Sequence, residues 1–241
     1  MRIDVAATPD GLTPAAVAES TVLVIDVLRA STCIVTALGN GCAAIVPVAS
    51  AEEARRRAAT LDGALIAGER RGEPLAGFDL GNSPLEFTRG RVGGHTVVMT
   101  TSNGTRALLA ARPAHAVGVA AFINHAAAAA WAVAHGRDVL LLCAGERGAR
   151  SLEDYVCAGM FVERLVAGDP TAQPSSEAER ALGVARPYGK EVGRLGQDSS
   201  WARHLTSVGR GRDVAACLAL DTRTLVPEYR RDVDKIVAAR R

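Results

Sequence analysis

The chain has 241 residues, of which 48% are hydrophobic, 22% are charged and only 4% are aromatic, and its formal net charge is +2. This length allows one large domain with a sizeable core, which must be built from Ala, Val and Leu because aromatic side chains are rare. The weak positive charge disfavours a nucleic-acid-binding protein, which usually carries a concentrated basic stripe. We expect a single domain over residues 1–241.

Cysteine usage and the apolar runs bear on the cellular compartment. The five cysteines are scattered and form no CxxC pair, so neither a disulfide framework nor a zinc site is expected. The first residues lack the basic and apolar regions of a signal peptide, and no apolar run reaches the roughly 18–20 residues needed to span a membrane. We therefore predict a cytoplasmic protein that does not enter a membrane.

Short apolar runs alternate with helical patterns along most of the chain. Strands are predicted at 21–25, 44–48, 65–67, 96–100, 116–119 and 138–143. Helices are predicted at 32–38, 51–61, 105–111, 124–134 and 151–165, with shorter helical stretches at 178–182, near 191 and at 200–205. The first of these strands shows no alternation, which is typical of a strand buried on both faces. This order predicts a three-layer α/β/α fold around a mostly parallel central sheet.

Four of the apolar runs stop abruptly at small polar or charged clusters. The clusters span residues 26–32, 68–72, 100–105 and 143–148. All but 68–72 then run into a predicted helix. Strand ends and helix N-termini of an α/β sheet share one crevice, and helix N-termini bind anions. The clusters therefore predict an enzyme that acts on a small phosphorylated or otherwise anionic substrate, and their acids predict a Mg²⁺ cofactor.

The acids and arginines of these clusters are the candidates for catalysis. Asp26 directly follows a predicted buried strand, so its carboxylate is expected at the crevice. The predicted catalytic residues are Asp26, Arg29, Glu69 and Glu146. The predicted metal ligands are Asp26, Glu146, Glu153 and Asp154. Two alternatives stay open: Glu153 and Asp154 could simply stabilise the positive end of their helix, and Asp26 could pair with Arg29.

Hydroxyls, amides and loop residues are predicted to bind the substrate. Those next to predicted helix starts are Ser31, Thr32, Asn103, Gly104 and Thr105. The loop-rich stretch 72–95 is long for a compact domain, and such loops are usually functional. It contributes Asp79, Asn82, Ser83 and Glu86. Helix caps, an Asn-Gly turn and a rigid loop are the equally open structural alternatives.

Together these segments resemble the 2-phosphosulfolactate phosphatase family of coenzyme M biosynthesis, the ComB-like proteins. The matching segments keep their order over essentially the whole chain and cover 24–32, 68–70, 77–86, 100–105, 143–145, 151–154 and parts of 209–218. The resemblance implies a three-layer α/β/α fold and a Mg²⁺-dependent phosphatase that converts 2-phosphosulfolactate to 3-sulfolactate and phosphate. A substrate with three anionic groups would also explain Arg29, Arg70 and Arg147.

Two other functions remain open at this stage. The first is a phosphatase for a different small 2-phospho-carboxylate, which motifs do not exclude because function depends on the details of a site. The second is a non-catalytic anion-binding module, although clustered carboxylates would add little to such a module. The predicted partner is a small anionic phosphorylated substrate, with no nucleic acid and no membrane, and homo-oligomerisation is left open.

Overall fold

One mixed sheet runs through the computed structural model, which describes residues 1–189 and 191–239. Within these residues its strands are β1 (Arg2–Ala6), β2 (Thr21–Ile25), β3 (Ala44–Pro47), β4 (Leu65–Arg70), β5 (Glu73–Pro74), β6 (Thr96–Thr100), β7 (Ala116–Ala120), β8 (Val139–Cys143), β9 (Gln173–Pro174), β10 (Pro227–Arg230) and β11 (Lys235–Ala238). Their spatial order is β5-β4-β6-β3-β11-β10-β7-β2-β8-β1-β9. The long pairs β2–β7, β2–β8, β1–β8, β3–β6 and β4–β6 are parallel. The predicted mostly parallel sheet is confirmed.

Helices cover both faces of this sheet. They are α1 (Pro14–Val17), α2 (Ala30–Gly39), α3 (Ala51–Ala58), α4 (Arg89–Val92), α5 (Gly104–Ala111), α6 (His125–Ala134), α7 (Leu152–Gly168), α8 (Ser176–Ala185), α9 (Leu195–Asp198), α10 (Ser200–Leu205) and α11 (Gly211–Cys217). α2 and α5 pack on one face, whereas α6 and α7 pack on the other face beside β2. The predicted three-layer arrangement is confirmed.

The strand β2 shows why its sequence lacks alternation. Val22 and Val24 belong to the hydrophobic core that includes α2 and α5. Leu23 and Ile25 point the other way, into the core that includes α6 and α7. Since both faces are covered, every residue of the strand is buried. The carboxyl end of β2 is therefore fixed firmly in the middle of the molecule, which positions the residue that follows it.

A C-terminal hairpin joins the two parallel parts of the sheet. β10 and β11 pair antiparallel with each other, β11 pairs with β3 through Ile236 and Ile45, and β10 pairs with β7 through Glu228 and Gly118. Neither this hairpin nor β1 is predicted from the sequence. The stretch 72–95, predicted as a loop, contains β5, a 3₁₀ turn at Pro84–Glu86 and α4. In the described part of the chain, no helix has the length and apolar character that crossing a bilayer requires.

Candidate active site

A small pocket of about 70 Å³ opens beyond the carboxyl ends of β2, β4, β6 and β8. The charged and amide-bearing residues that line it are Asp26, Arg29, Glu69, Arg71, Asn82, Asn103, Glu146 and Arg147. All four sequence clusters contribute to this set. They meet at one place because strands that run in parallel end at the same edge of the sheet. A second space of about 20 Å³ adjoins it and is lined by Asp26, Glu146, Glu153 and Asp154.

Asp26 sits at the start of α2 and is held there by the helix itself. Its Oδ1 accepts a hydrogen bond from the main-chain N–H of Ala30 at 3.1 Å, and its carbonyl accepts from that of Ser31 at 2.9 Å. A Cβ added to Gly104 would lie only 2.6 Å from Oδ2, so the start of α5 approaches the carboxylate closely because residue 104 is glycine. The first N–H groups of α2 therefore hold Asp26 rather than a substrate anion.

The surroundings of Asp26 shift the pKa of its carboxyl to near neutral pH. Burial raises the pKa of this carboxyl to about 7, and the neighbouring carboxylates of Glu69 and Glu153 raise it as well. The hydrogen bond from Ala30 and the positive charge of Arg29 act in the opposite direction. Like charges disfavour ionisation of a buried acid, so a bound cation would stabilise the ionised form.

Arg29 is a buried cation with a fixed orientation. Its residue is 2% exposed, and its Nη1 donates to Oδ2 of Asp213 at 2.6 Å. Its Nη2 donates to the carbonyl of Gly72 at 3.0 Å, and the Oγ of Ser83 donates to the other oxygen of Asp213 at 2.6 Å. A guanidinium has five N–H donors, so donors remain for a ligand in the pocket that Arg29 lines. Ser83 thus acts on the pocket through Asp213, which is not among the site residues predicted from the sequence.

Glu69 ties two of the loops around the pocket together. Its Oε1 accepts from the main-chain N–H of Ser102 at 2.7 Å. Its Oε2 accepts from the N–H of Gly72 at 2.6 Å and from the Oγ of Ser102 at 3.2 Å. The residue is only 6% exposed in this arrangement. Glu69 therefore fixes the position of the loop that carries Asn103 into the pocket.

Glu153 and Asp154 lie behind Asp26 and Glu146, at the start of α7. The oxygens of Asp154 accept from the main-chain N–H groups of Val27 at 2.8 Å and Gly145 at 3.2 Å. Burial raises the pKa of both carboxyls, and the charge of Asp26 raises that of Asp154 further. Asp154 thus fastens the ends of β2 and β8 to each other.

The chemistry of these donors fits a hard divalent cation, since all are carboxylate oxygens that line one small space, and burial raises the pKa of Asp26, Glu153 and Asp154. In residues 1–189 and 191–239, however, no three Asp, Glu, His or Cys side chains converge closely enough to form a metal-binding group. The ligand set Asp26, Glu146, Glu153 and Asp154 therefore stays a prediction.

Three hydroxyls predicted to bind substrate are engaged with the main chain instead. The Oγ of Ser31 accepts from the N–H of Asp26 at 2.9 Å, and the Oγ1 of Thr32 donates to the carbonyl of Val27 at 2.9 Å. The Oγ1 of Thr105 donates to the carbonyl four residues earlier at 3.0 Å. All three residues are buried and none lines the pocket. The structure favours the alternative in which they shape the loops.

One of the substrate-binding residues predicted in the loop 72–95 lines the pocket. Asn82 lines the pocket, and its buried side-chain oxygen has no hydrogen-bond partner among the described residues. Asp79 and Glu86 lie away from the pocket and hold the loop. Asp79 accepts from the N–H of Ile66 at 2.8 Å, and Glu86 accepts from that of Gly81 at 2.7 Å.

Two further residues that line the pocket, Trp201 and Arg71, are not among the site residues predicted from the sequence. Trp201, on α10, lines both the pocket and the smaller space behind it, and its Nε1 donates to the carbonyl of Leu28 at 3.1 Å. Arg71 lies in the 68–72 cluster but has no motif of its own. Arg71 and Arg147 adopt left-handed backbone conformations, with φ of 56° and 52°. No spacing in the sequence brings Trp201 to the end of β2, because the contact spans 173 residues.

Comparison with known proteins identifies relatives over almost the whole chain. The model of the 2-phosphosulpholactate phosphatase family matches residues 6–232. A protein of Thermotoga petrophila named probable 2-phosphosulfolactate phosphatase is 40% identical over 207 residues, which are 86% of this chain and 88% of the relative. Proteins with the same name are 39% identical in Thermotoga maritima, with the same coverage, and 32% identical in Clostridium botulinum, over 98% of this chain and 99% of the relative.

Proposed function

This chain belongs to the 2-phosphosulfolactate phosphatase family, and we propose that it hydrolyses 2-phosphosulfolactate to 3-sulfolactate and phosphate with the help of Mg²⁺. The observation that carries the proposal is the pocket at the sheet edge, which Asp26, Glu146 and Arg29 line together. A phosphoryl group needs charge neutralisation and in-line positioning more than covalent chemistry from the protein. A fixed arginine, together with acids that would hold a cation, meets that need.

Asp26 and Glu146 are the residues that would hold the cation, with Glu153 and Asp154 behind them. When bound, a divalent cation neutralises phosphoryl oxygens and lowers the pKa of a bound water. The raised pKa values of the buried acids support this assignment, because their ionised forms lack compensating charge in the protein itself.

Arg29 binds the transferring phosphoryl group through the N–H donors that Asp213 and Gly72 leave free. Because its guanidinium is already oriented and buried, the interaction costs little reorganisation during the reaction. Asn103, which also lines the pocket and precedes α5, contributes a further polar contact. Trp201 adds an aromatic ring to the lining of the pocket.

Phosphate release measured with 2-phosphosulfolactate and with 2-phospholactate, first with Mg²⁺ and then with EDTA, tests the proposal. We expect EDTA-sensitive release that is faster with the sulfonate. Release from 2-phospholactate alone would assign a different 2-phospho-carboxylate, and no release from either would favour the binding module.

The residue assignment is tested with Asp26→Asn and Glu146→Gln. Both should lower kcat by about 100-fold or more and weaken the response to Mg²⁺, as removal of a preorganised electrostatic group does. Glu52→Gln is the matched control, because Glu52 lies on the exposed surface of α3. Unchanged turnover and Mg²⁺ response in the two pocket variants would refute the assignment.

A further inference from the structure

A second cavity, of about 740 Å³, adjoins the active-site pocket and is lined by arginines. Its cationic residues are Arg70, Arg71, Arg106 and Arg147, and none of the described residues that line it is acidic. It shares Arg71, Ser102, Asn103 and Arg147 with the pocket, so the two spaces are neighbours. The pocket therefore carries the acids, whereas the described lining of the neighbouring cavity has four arginines and no acid.

Arg70 is held in place by neutral groups only. Its Nη1 donates to the carbonyl of Glu69 at 2.7 Å, and its Nη2 donates to the Oγ1 of Thr100 at 2.9 Å and to the carbonyl of Ala49 at 3.4 Å. These three hydrogen bonds leave about two of the five guanidinium donors unused. The side chain is thus preorganised, and its charge has no counterpart in the described structure.

Arg71 and Arg147 bring two more cations to the same wall. Within the described residues, neither they nor Arg70 has a carboxylate within ion-pair distance. Arg106 differs, because it pairs with Asp10. Three cations at the edge of one cavity without a carboxylate partner form a site for an oxyanion, since guanidinium groups recognise such groups by paired hydrogen bonds.

The position of the cavity indicates which oxyanion this is. The pocket holds Arg29 and the acids Asp26 and Glu146, which the proposed function assigns to the phosphoryl group and its cation. The wall that the two spaces share leads from there to the arginines of the cavity, where a second anionic group of the same substrate would lie. A sulfonate offers three acceptor oxygens and keeps its negative charge at any physiological pH, which matches three arginines.

We propose that Arg70, Arg71 and Arg147 bind the sulfonate of the substrate and determine the preference for it over a neutral substituent. The inference rests on the proposed function, because it assumes that the phosphoryl group occupies the neighbouring pocket.

The test compares kcat/KM for 2-phosphosulfolactate with kcat/KM for 2-phospholactate. The latter has a methyl group where the former has a sulfomethyl group. The variants are Arg70→Gln, Arg71→Asn and Arg147→Asn, since Asn tolerates the left-handed backbone at the last two positions. Each should lower the ratio of the two values by about 10- to 100-fold, mainly through KM, as loss of a hydrogen bond to a charged group does. Arg70→Lys should lose less, because it keeps the charge.

Arg57→Gln removes the same charge from an exposed position on α3 that does not line the cavity, and it should leave the ratio unchanged. A ratio that is unchanged in the cavity variants, or an equal loss with both substrates, would overturn the inference while the phosphatase activity stands. If the wild type hydrolyses neither substrate, the proposed function fails. Calorimetric binding of 3-sulfolactate then decides the inference: weaker binding in Arg147→Asn supports it, and unchanged binding overturns it.

Discussion

The buried ion pair between Arg29 and Asp213 is the most sensitive point of the site. The side chains are only 2% and 6% exposed, and Asp213 also accepts the hydrogen bond from Ser83. Asp213→Asn preserves the shape of the side chain but removes its charge and one of its two acceptors. The amide oxygen can still accept from Arg29, and the amide nitrogen can donate to the Oγ of Ser83, but the positive charge of Arg29 stays buried without compensation.

Breaking a buried pair by removing one partner costs about 3–5 kcal/mol, because the remaining charge is desolvated and unpaired. For a chain of this size, that corresponds to a fall in Tm of roughly 6–20 °C. The pair between Glu52 and Arg56 provides the contrast. These side chains are 81% and 65% exposed, and exposed pairs contribute only about 0–1 kcal/mol.

Urea unfolding followed by circular dichroism gives the free energy of unfolding for the wild type, Asp213→Asn and Glu52→Gln. Phosphate release on the same samples, at a temperature where all are folded, gives kcat/KM. We expect Asp213→Asn to lose about 3 kcal/mol or more and at least 100-fold in kcat/KM, because Arg29 is no longer oriented. A loss below about 1 kcal/mol, equal to that of Glu52→Gln, would refute the reasoning about burial.

Three further predictions concern the packing and the protonation of single residues. Gly104→Ala should destabilise the protein by about 1–3 kcal/mol and abolish most turnover, because the new methyl group overlaps Oδ2 of Asp26; wild-type activity in this variant would contradict the close contact. The apparent affinity for Mg²⁺, measured by calorimetry, should fall as the pH decreases through about 7, the pKa of Asp26, because protons and cations compete for this carboxylate; equal affinities at pH 6 and pH 8 would be inconsistent with it. Burial and the charge of Arg164 lower the pKa of His125 from 6.5 to about 4, so this residue's contribution to stability is fully present above pH 6.5 and is lost as the pH falls towards 4. His125→Leu should remove up to about 3 kcal/mol of this acid sensitivity in urea unfolding, and an unchanged pH profile would show that other groups control it.

The local pattern of apolar and polar residues was sufficient to predict the mostly parallel sheet and its flanking helices. The uninterrupted apolar residues of β2 reflect burial on both faces, and the clusters that follow β2, β6 and β8 do lie at one edge of the sheet. The hairpin of β10 and β11 could not be predicted in this way. Its pairing with the rest of the sheet depends on contacts such as Ile236 with Ile45, which are far apart in the chain.

In the candidate site, too, local features are predictable from the sequence whereas long-range contacts are not. A polar residue after a buried strand is correctly expected near the crevice, as for Asp26. Its partners depend on long-range contacts: Asp213 meets Arg29 across 184 residues, and no local spacing indicates this. Nor does composition decide whether a buried hydroxyl such as that of Ser31 or Thr32 faces a ligand or the main chain, because both choices satisfy its hydrogen bonds.

A crystal structure of the protein with Mg²⁺, phosphate and 3-sulfolactate tests the central claim most directly. We predict the cation on Asp26 and Glu146, the phosphate on Arg29 in the small pocket, and the sulfonate against Arg70, Arg71 and Arg147. Phosphate bound in the arginine-lined cavity, or a cation bound away from Asp26 and Glu146, would contradict the account.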